Sequence, residues 1–130
     1  MLDGVYFSAC AQPSTWQNAL ETCIDRGYEG LATIINEDEN NFIHELLPVH
    51  AEDNSGMFWI GLNDVLVEGD FEWSSGVVSS FFNWADPEEL MHDGKDCTSI
   101  YSNVFIDHLQ WNDQNCNTAH SYVCERRGWQ

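Results

Sequence analysis

The spacing of apolar residues changes period part-way along the chain, and that change limits the folds open to it. In "STWQNALETCIDRG" the residues Trp16, Ala19, Leu20 and Cys23 recur at i, i+3, i+4 and i+7. This predicts a helix capped by Ser14 or Thr15 and stopped at Gly27. A second helix is predicted from "NEDENNFIHELLP". Asn36 caps it, Glu39 takes the capping-box position three residues on, Phe42, Ile43, Leu46 and Leu47 form the buried stripe, and Pro48 ends it. After Gly56 the helical period disappears. "MFWIGL", "FEW", "CTSIY" and "HSYVCE" are short aromatic or β-branched runs separated by turn residues, and they read as strands. Between them, residues 63–70 and 85–96 are polar, acidic and rich in Gly, Asp and Asn, which predicts long loops. Two helices followed by strands and long loops form an α+β pattern. A chain of 130 residues with no repeat or linker suits one domain spanning 1–130.

Charge narrows the partners. Acids outnumber Lys plus Arg by 22 to 4, for a formal net charge of -18. Nucleic acid and anionic membrane would be repelled, so neither is expected. A hydrophobic share of 43% and six tryptophans supply a core, so the charge does not imply disorder. The acids cluster in a few short loops, where bound cations would relieve their repulsion. No nucleophile motif is present and the paired acids have a metal explanation, so the chain is not expected to be an enzyme.

Five cysteines, Cys10, Cys23, Cys97, Cys116 and Cys124, point to an oxidising compartment. Their spacing leaves the pairings open, and the odd count leaves one sulfur over. Zinc is disfavoured because there is no C-x-x-C pair, and His44–His50 and Cys116–His120 lack second pairs of the usual kind. "MLDGVYFSAC" has neither a basic start nor a long apolar run, so a mature secreted domain is expected.

With these elements in place, several motifs resemble those of the C-type lectin-like domain. "WIGLND" (59–64), "EGDFEWSSG" (68–76), "FFNW" (81–84), "WNDQNC" (111–116), "YVCE" (122–125) and the helix "TWQNALETC" carry the resemblance, which spans residues 5–125. It implies a short-form C-type lectin-like fold and the disulfides Cys23–Cys124 and Cys97–Cys116. Cys10, at the end of the first strand, is then the odd sulfur; an interchain disulfide making a dimer is the expectation, and an unpaired thiol, buried or capped, is the alternative. The resemblance also implies a secreted, non-enzymatic lectin that binds carbohydrate through the long-loop region with the help of Ca2+, with defence against microbes as a family-level role; the alternative is a protein-binding C-type lectin-like domain whose sugar site is decayed or calcium-independent.

Calcium takes six to eight oxygen ligands at ~2.3–2.6 Å. Carried over by resemblance, a first calcium site falls on Asp64, Glu68, Glu89 and Asp96, all acids here. A second, sugar-holding site falls on Asp86, Glu88, Asn112 and Asp113. Two departures appear there. Lys95 stands where sugar-binding relatives carry a glutamate, and its ammonium can pair with Asp86, Glu88 or Asp113 in place of the ion. The triplet Asp86-Pro87-Glu88 replaces the Glu-Pro-Asn of mannose-type and the Gln-Pro-Asp of galactose-type members, so it offers acceptors and no amide donor. The expected carbohydrate contacts are Asp86, Glu88, Lys95, His108, Asn112 and Asp113, with aromatics such as Trp84, Tyr101 and Phe105 available to stack on a sugar ring. A third cation position found in some members falls on Thr33, Glu39 and Glu125.

Overall fold

The computed structural model describes residues 5–46, 57–65, 70–79, 81, 96–101 and 111–126. Among them the chain runs β1 (Tyr6–Ser14), α1 (Trp16–Asp25), β2 (Gly30–Leu31), α2 (Glu37–Leu46), β3 (Met57–Asn63), β4 (Glu72–Trp73), β5 (Cys97–Tyr101), β6 (Trp111–Gln114) and β7 (His120–Arg126). The architecture is α+β, as the change of period predicts.

Local chemistry sets the helix ends. Thr15 caps α1 by accepting from Asn18 N at 3.3 Å. At the other end Gly27 takes φ +91°, a left-handed conformation that costs a β-carbon-bearing residue dearly. Tyr28 N then donates to Cys23 O and Gly27 N to Ile24 O, both at 3.0 Å, which closes a Schellman motif. Asn36 caps α2 through its Oδ1, which accepts from Glu39 N at 2.8 Å. The return bond of the expected capping box is displaced by one residue: Glu39 Oε1 accepts from Ile35 N at 3.0 Å.

The strands run in the order β1-β7-β3-β5-β6, with β2 on β7 and β4 on β3. All pairings are antiparallel except β3 with β7. Strand β3 is buried on both faces. Phe58, Ile60 and Leu62 enter a core with Ile34, Ile43, Ile100, Trp111 and Val123, whereas Trp59 enters a second with Trp16, Ala19, Leu31 and Tyr122. Strand alternation thus divides one strand between two cores. Gly61 is required by close approach. A β-carbon there would meet Ser74 Oγ at 2.7 Å, Ala32 O at 3.1 Å and Leu31 O at 3.3 Å.

The edge strand β1 reaches further than expected. Cys10 lies within it rather than at its end, because a register irregularity between Cys10 and Ser14 lets the strand continue to the pair Ser14↔His120. Pro13 is tolerated there because an edge strand leaves one side unpaired. The two-residue strand β2 was not expected, since "GL" is too short to show a period. Its backbone pairs with β7 at Gly30↔Glu125 and Leu31↔Cys124.

Two disulfides join these parts. Cys23–Cys124 ties α1 to β7, and Cys97–Cys116 ties the start of β5 to the turn after β6. Both are the pairings the resemblance implies. Removing the first, which closes a loop of 101 residues, by a Cys23→Ala/Cys124→Ala double substitution is expected to cost about 4–5 kcal/mol, measured as a lower urea midpoint. Gly61→Ala is expected to destabilise by about 1–3 kcal/mol, because two of the three close atoms are backbone and cannot swing aside.

Candidate functional site

The end of the sheet where β3 stops and β5 begins gathers part of the expected ligand set. Asp64 N donates to Asp96 O at 2.9 Å, so the residue after β3 and the residue before β5 are held side by side. Asp64 is 2% exposed and Asp96 is half-buried. In the next ladder, Cys97 pairs with Gln114, Thr98 with Asp113 and Ser99 with Asn112. Asp64, Asp96, Asn112 and Asp113 therefore occupy backbone positions near one end of the adjacent strands β3, β5 and β6, which the Cys97–Cys116 bridge fastens.

Of the first expected calcium set, the structure brings Asp64 and Asp96 together, while Glu68 and Glu89 lie outside the described residues. Asp86, Glu88, Lys95 and His108 also lie outside them, as do Trp84 and Phe105. Asn112 and Asp113 are placed by their backbone alone. Among the described residues no three His, Cys, Asp or Glu side chains form a metal cluster. The backbone bond brings two carboxylate-bearing residues to one strand end, and carboxylates are the donor type a hard cation takes. Cys116 is committed to its disulfide, which removes it as a zinc ligand, and His120 packs edge-on against Trp59 at 4.8 Å.

The residues of the third expected cation position do converge, in part, through hydrogen bonds of their own. Glu125 is fully buried. Its Oε1 accepts from Thr33 N at 2.7 Å and its Oε2 from the Thr33 hydroxyl at 3.0 Å. The same hydroxyl lies 2.7 Å from Ser75 Oγ. This chain of bonds joins β7, the segment after β2 and the turn after β4. Glu39 is spent on the α2 entry instead.

One residue that matters here was missed from sequence. Asn40 Oδ1 accepts from Trp111 Nε1 at 2.8 Å, both residues being buried, and this bond seats β6 against α2. The signal was present: Asn36, Asn40 and Ile43 share one helix face, so a polar side chain lies in the apolar stripe.

Cys10 stands elsewhere, beneath α1. It is a half-buried free thiol, and Arg26 Nη1 donates to its sulfur at 3.6 Å. Tyr122, its cross-strand partner, is 2% exposed. Burial first, and the neighbouring Cys10 second, raise the phenol pKa above its ordinary 10.0.

The chain belongs to the C-type lectin domain family, whose model it matches over residues 12–126. Among curated proteins it is 33% identical over 99 residues to an alpha-N-acetylgalactosamine-specific lectin of Patiria pectinifera, covering 76% of this chain and 58% of that protein. It is 31% identical over 120 residues to C-type mannose receptor 2 of Homo sapiens, covering 91% of this chain and 8% of the receptor. The chain thus spans only part of the relatives it matches. A calcium-independent type II antifreeze protein shares the fold with a TM-score of 0.83 at 23% identity, over 97% of this chain and 88% of that one. The same fold thus occurs in proteins described as lectins and in one described by a different activity. Among the described residues no helix is long and apolar enough to cross a membrane.

Asn40→Ala leaves the Trp111 indole without its acceptor and is expected to destabilise by roughly 1–3 kcal/mol, measured by denaturant titration. The raised pKa of Tyr122 implies an alkaline loss. Below pH 10.0 the phenol is neutral in both folded and unfolded chains and its effect on stability is constant. Above that pH the unfolded chain releases the proton first, so it binds fewer protons than the folded one and stability falls. Tyr122→Phe is expected to flatten that fall, read as thermal midpoints between about pH 9 and 11.

Proposed function

We propose that this chain is a secreted, non-enzymatic lectin module that binds carbohydrate at the β3–β5–β6 end with the help of calcium. The observation that supports this reading is the meeting of Asp64 and Asp96 at the same end of the sheet as the backbone of Asn112 and Asp113. Glu68 and Glu89 complete the proposed first calcium site. The ion would neutralise these acids and fix the loops around them, while the protein's part is to hold Asp64 and Asp96 at the strand ends. Sugar hydroxyls would be received by Asp86, Glu88, Asn112 and Asp113, with Lys95 and His108 supplying charge and donors. The relative described as alpha-N-acetylgalactosamine-specific supports carbohydrate as the ligand class.

Lys95 sets the calcium question at the sugar. A glycan array run with calcium and again with chelator separates the outcomes. Binding lost with chelator supports an ion at the sugar, and binding that persists assigns that role to the lysine. No binding in either condition sinks the lectin reading in favour of a protein ligand. Independently, calcium at about a hundred times its Kd is expected to add about 2.7 kcal/mol of stability, and Asp64→Asn is expected to abolish that gain.

Two copies joined through Cys10 would bind multivalent glycans more tightly without new contacts. The thiol is half-buried against Arg26, so the bridge requires that contact to open. A dimer band on a non-reducing gel, absent in Cys10→Ser, is the expected result. A wild-type monomer removes the dimer.

A further inference from the structure

Solvent meets the two disulfides unequally. Cys23 and Cys124 are both fully buried, and so is Cys97, whereas Cys116 is half-buried. Its neighbours Asn115, Asn117, Thr118 and Ala119 are exposed, so it stands in an open turn between β6 and β7. A thiolate must reach a disulfide sulfur to attack it, and access helps to set the rate. Of the four bridged residues, Cys116 is the one that presents surface for that approach.

The two bridges also differ in what they hold. Cys97–Cys116 joins residues 19 apart in sequence, and Cys23–Cys124 joins residues 101 apart. Opening the first cuts one link at the β5–β6 end and leaves α1 tied to β7. Cys97 is the junction of that end. It pairs with Asn63 on β3 and with Gln114 on β6, and Asp96 just before it accepts from Asp64 N. The bridge therefore fastens the strand positions that carry Asp64, Asp96, Asn112 and Asp113.

The turn itself does not depend on the bridge alone. Trp16 N donates to Cys116 O and Thr118 N to Asn115 O, both at 3.0 Å, and Asn117 N donates to Asn115 Oδ1 at 2.9 Å. With the S–S bond open, these bonds keep Cys116 close to Cys97. Their sulfurs then face each other at a high effective concentration, which favours closing the bond again.

We propose that Cys97–Cys116 is a reversible redox latch on the β3–β5–β6 end, opened by a small dithiol while Cys23–Cys124 keeps the fold closed. One thiolate of the dithiol attacks Cys116 Sγ. A mixed disulfide forms there as the bond to Cys97 Sγ breaks, and Cys97 takes up a proton from water. The second thiolate attacks the dithiol's own bonded sulfur, closes a ring and releases Cys116 as a thiol. The dithiol is oxidised by two electrons and the bridge is reduced by two. The consequence for ligand binding rests on the carbohydrate and calcium reading above, whereas the selective opening and its local effect do not.

The test uses the Cys10→Ser chain, whose only cysteines are the four bridged ones. It is held in dithiothreitol under native conditions, alkylated with iodoacetamide at intervals and mapped by mass spectrometry. Cys97 and Cys116 are expected to be labelled at least about tenfold faster than Cys23 and Cys124. With this bridge alone open, amides of β5 and β6 are expected to exchange hydrogen at least about tenfold faster, while those of β1 and β7 keep their rates. Replacing the dithiol by oxidised glutathione restores the slow exchange. Labelling of all four cysteines together would mean that the bridges open only with the whole fold, and the proposal fails. It fails equally if the bridge opens first but the β5 and β6 amides keep their rates, or if reoxidation does not restore them. Calcium-induced stabilisation, compared in the closed and open chains, is expected to be lost on opening, and its retention would overturn the link to binding. Its absence from the closed chain would overturn the calcium reading instead, with the latch decided by labelling and exchange.

Discussion

Strand β3 pairs with β4, β5 and β7 while burying side chains on both of its faces. Few short segments are placed under so many constraints at once. Its even-numbered residues Phe58, Ile60 and Leu62 belong to one core and Trp59 to the other, so a shift of one residue would exchange the two sets. The last position, Asn63, pairs with both Cys97 and Glu72. From there the chain turns into Asp64, and the candidate site begins. The position of the first acid is therefore a consequence of packing well away from it.

The second structural theme is the use of buried polar groups as joints between elements. The Glu125 carboxylate accepts from both the amide and the hydroxyl of Thr33, and that hydroxyl also meets Ser75 Oγ. Asn40 holds Trp111, and Trp16 and Trp59 donate to backbone carbonyls across the core. A buried polar group must find a partner or incur a large desolvation cost, so each of these bonds selects one arrangement over its neighbours. Such joints matter in a domain where much of the chain lies in connections.

Much of the fold was legible in the sequence because it rests on local signals. The α1 stripe, a cap at Ser14 or Thr15 and the Gly27 stop were all readable, and so were the hydrophobic runs of β3, β5 and β7. Where the reading fell short, a non-local bond decided the matter. The two-residue β2 exists because β7 pairs with it, and β1 continues past Cys10 because its irregularity brings Ser14 opposite His120. The return bond of Glu39 reaches Ile35 instead of Asn36 because the chain entering α2 presents that amide. For the candidate site, residue types and motifs named the acids, and the structure brings Asp64 beside Asp96.

By itself the sequence determined the α+β class and the acidic character, and the resemblance carried by its motifs implied the family and the two disulfide pairings. The class and the charge follow from period and chemical type, which are properties of neighbouring residues, whereas the pairings come from the resemblance. Only the tertiary structure decided that Asp64 and Asp96 share a backbone bond and that Asn40 rather than water satisfies Trp111. It also decided that Cys10 lies against Arg26 and Tyr122. Each of those facts joins residues distant along the chain, and such contacts are fixed by how the cores close.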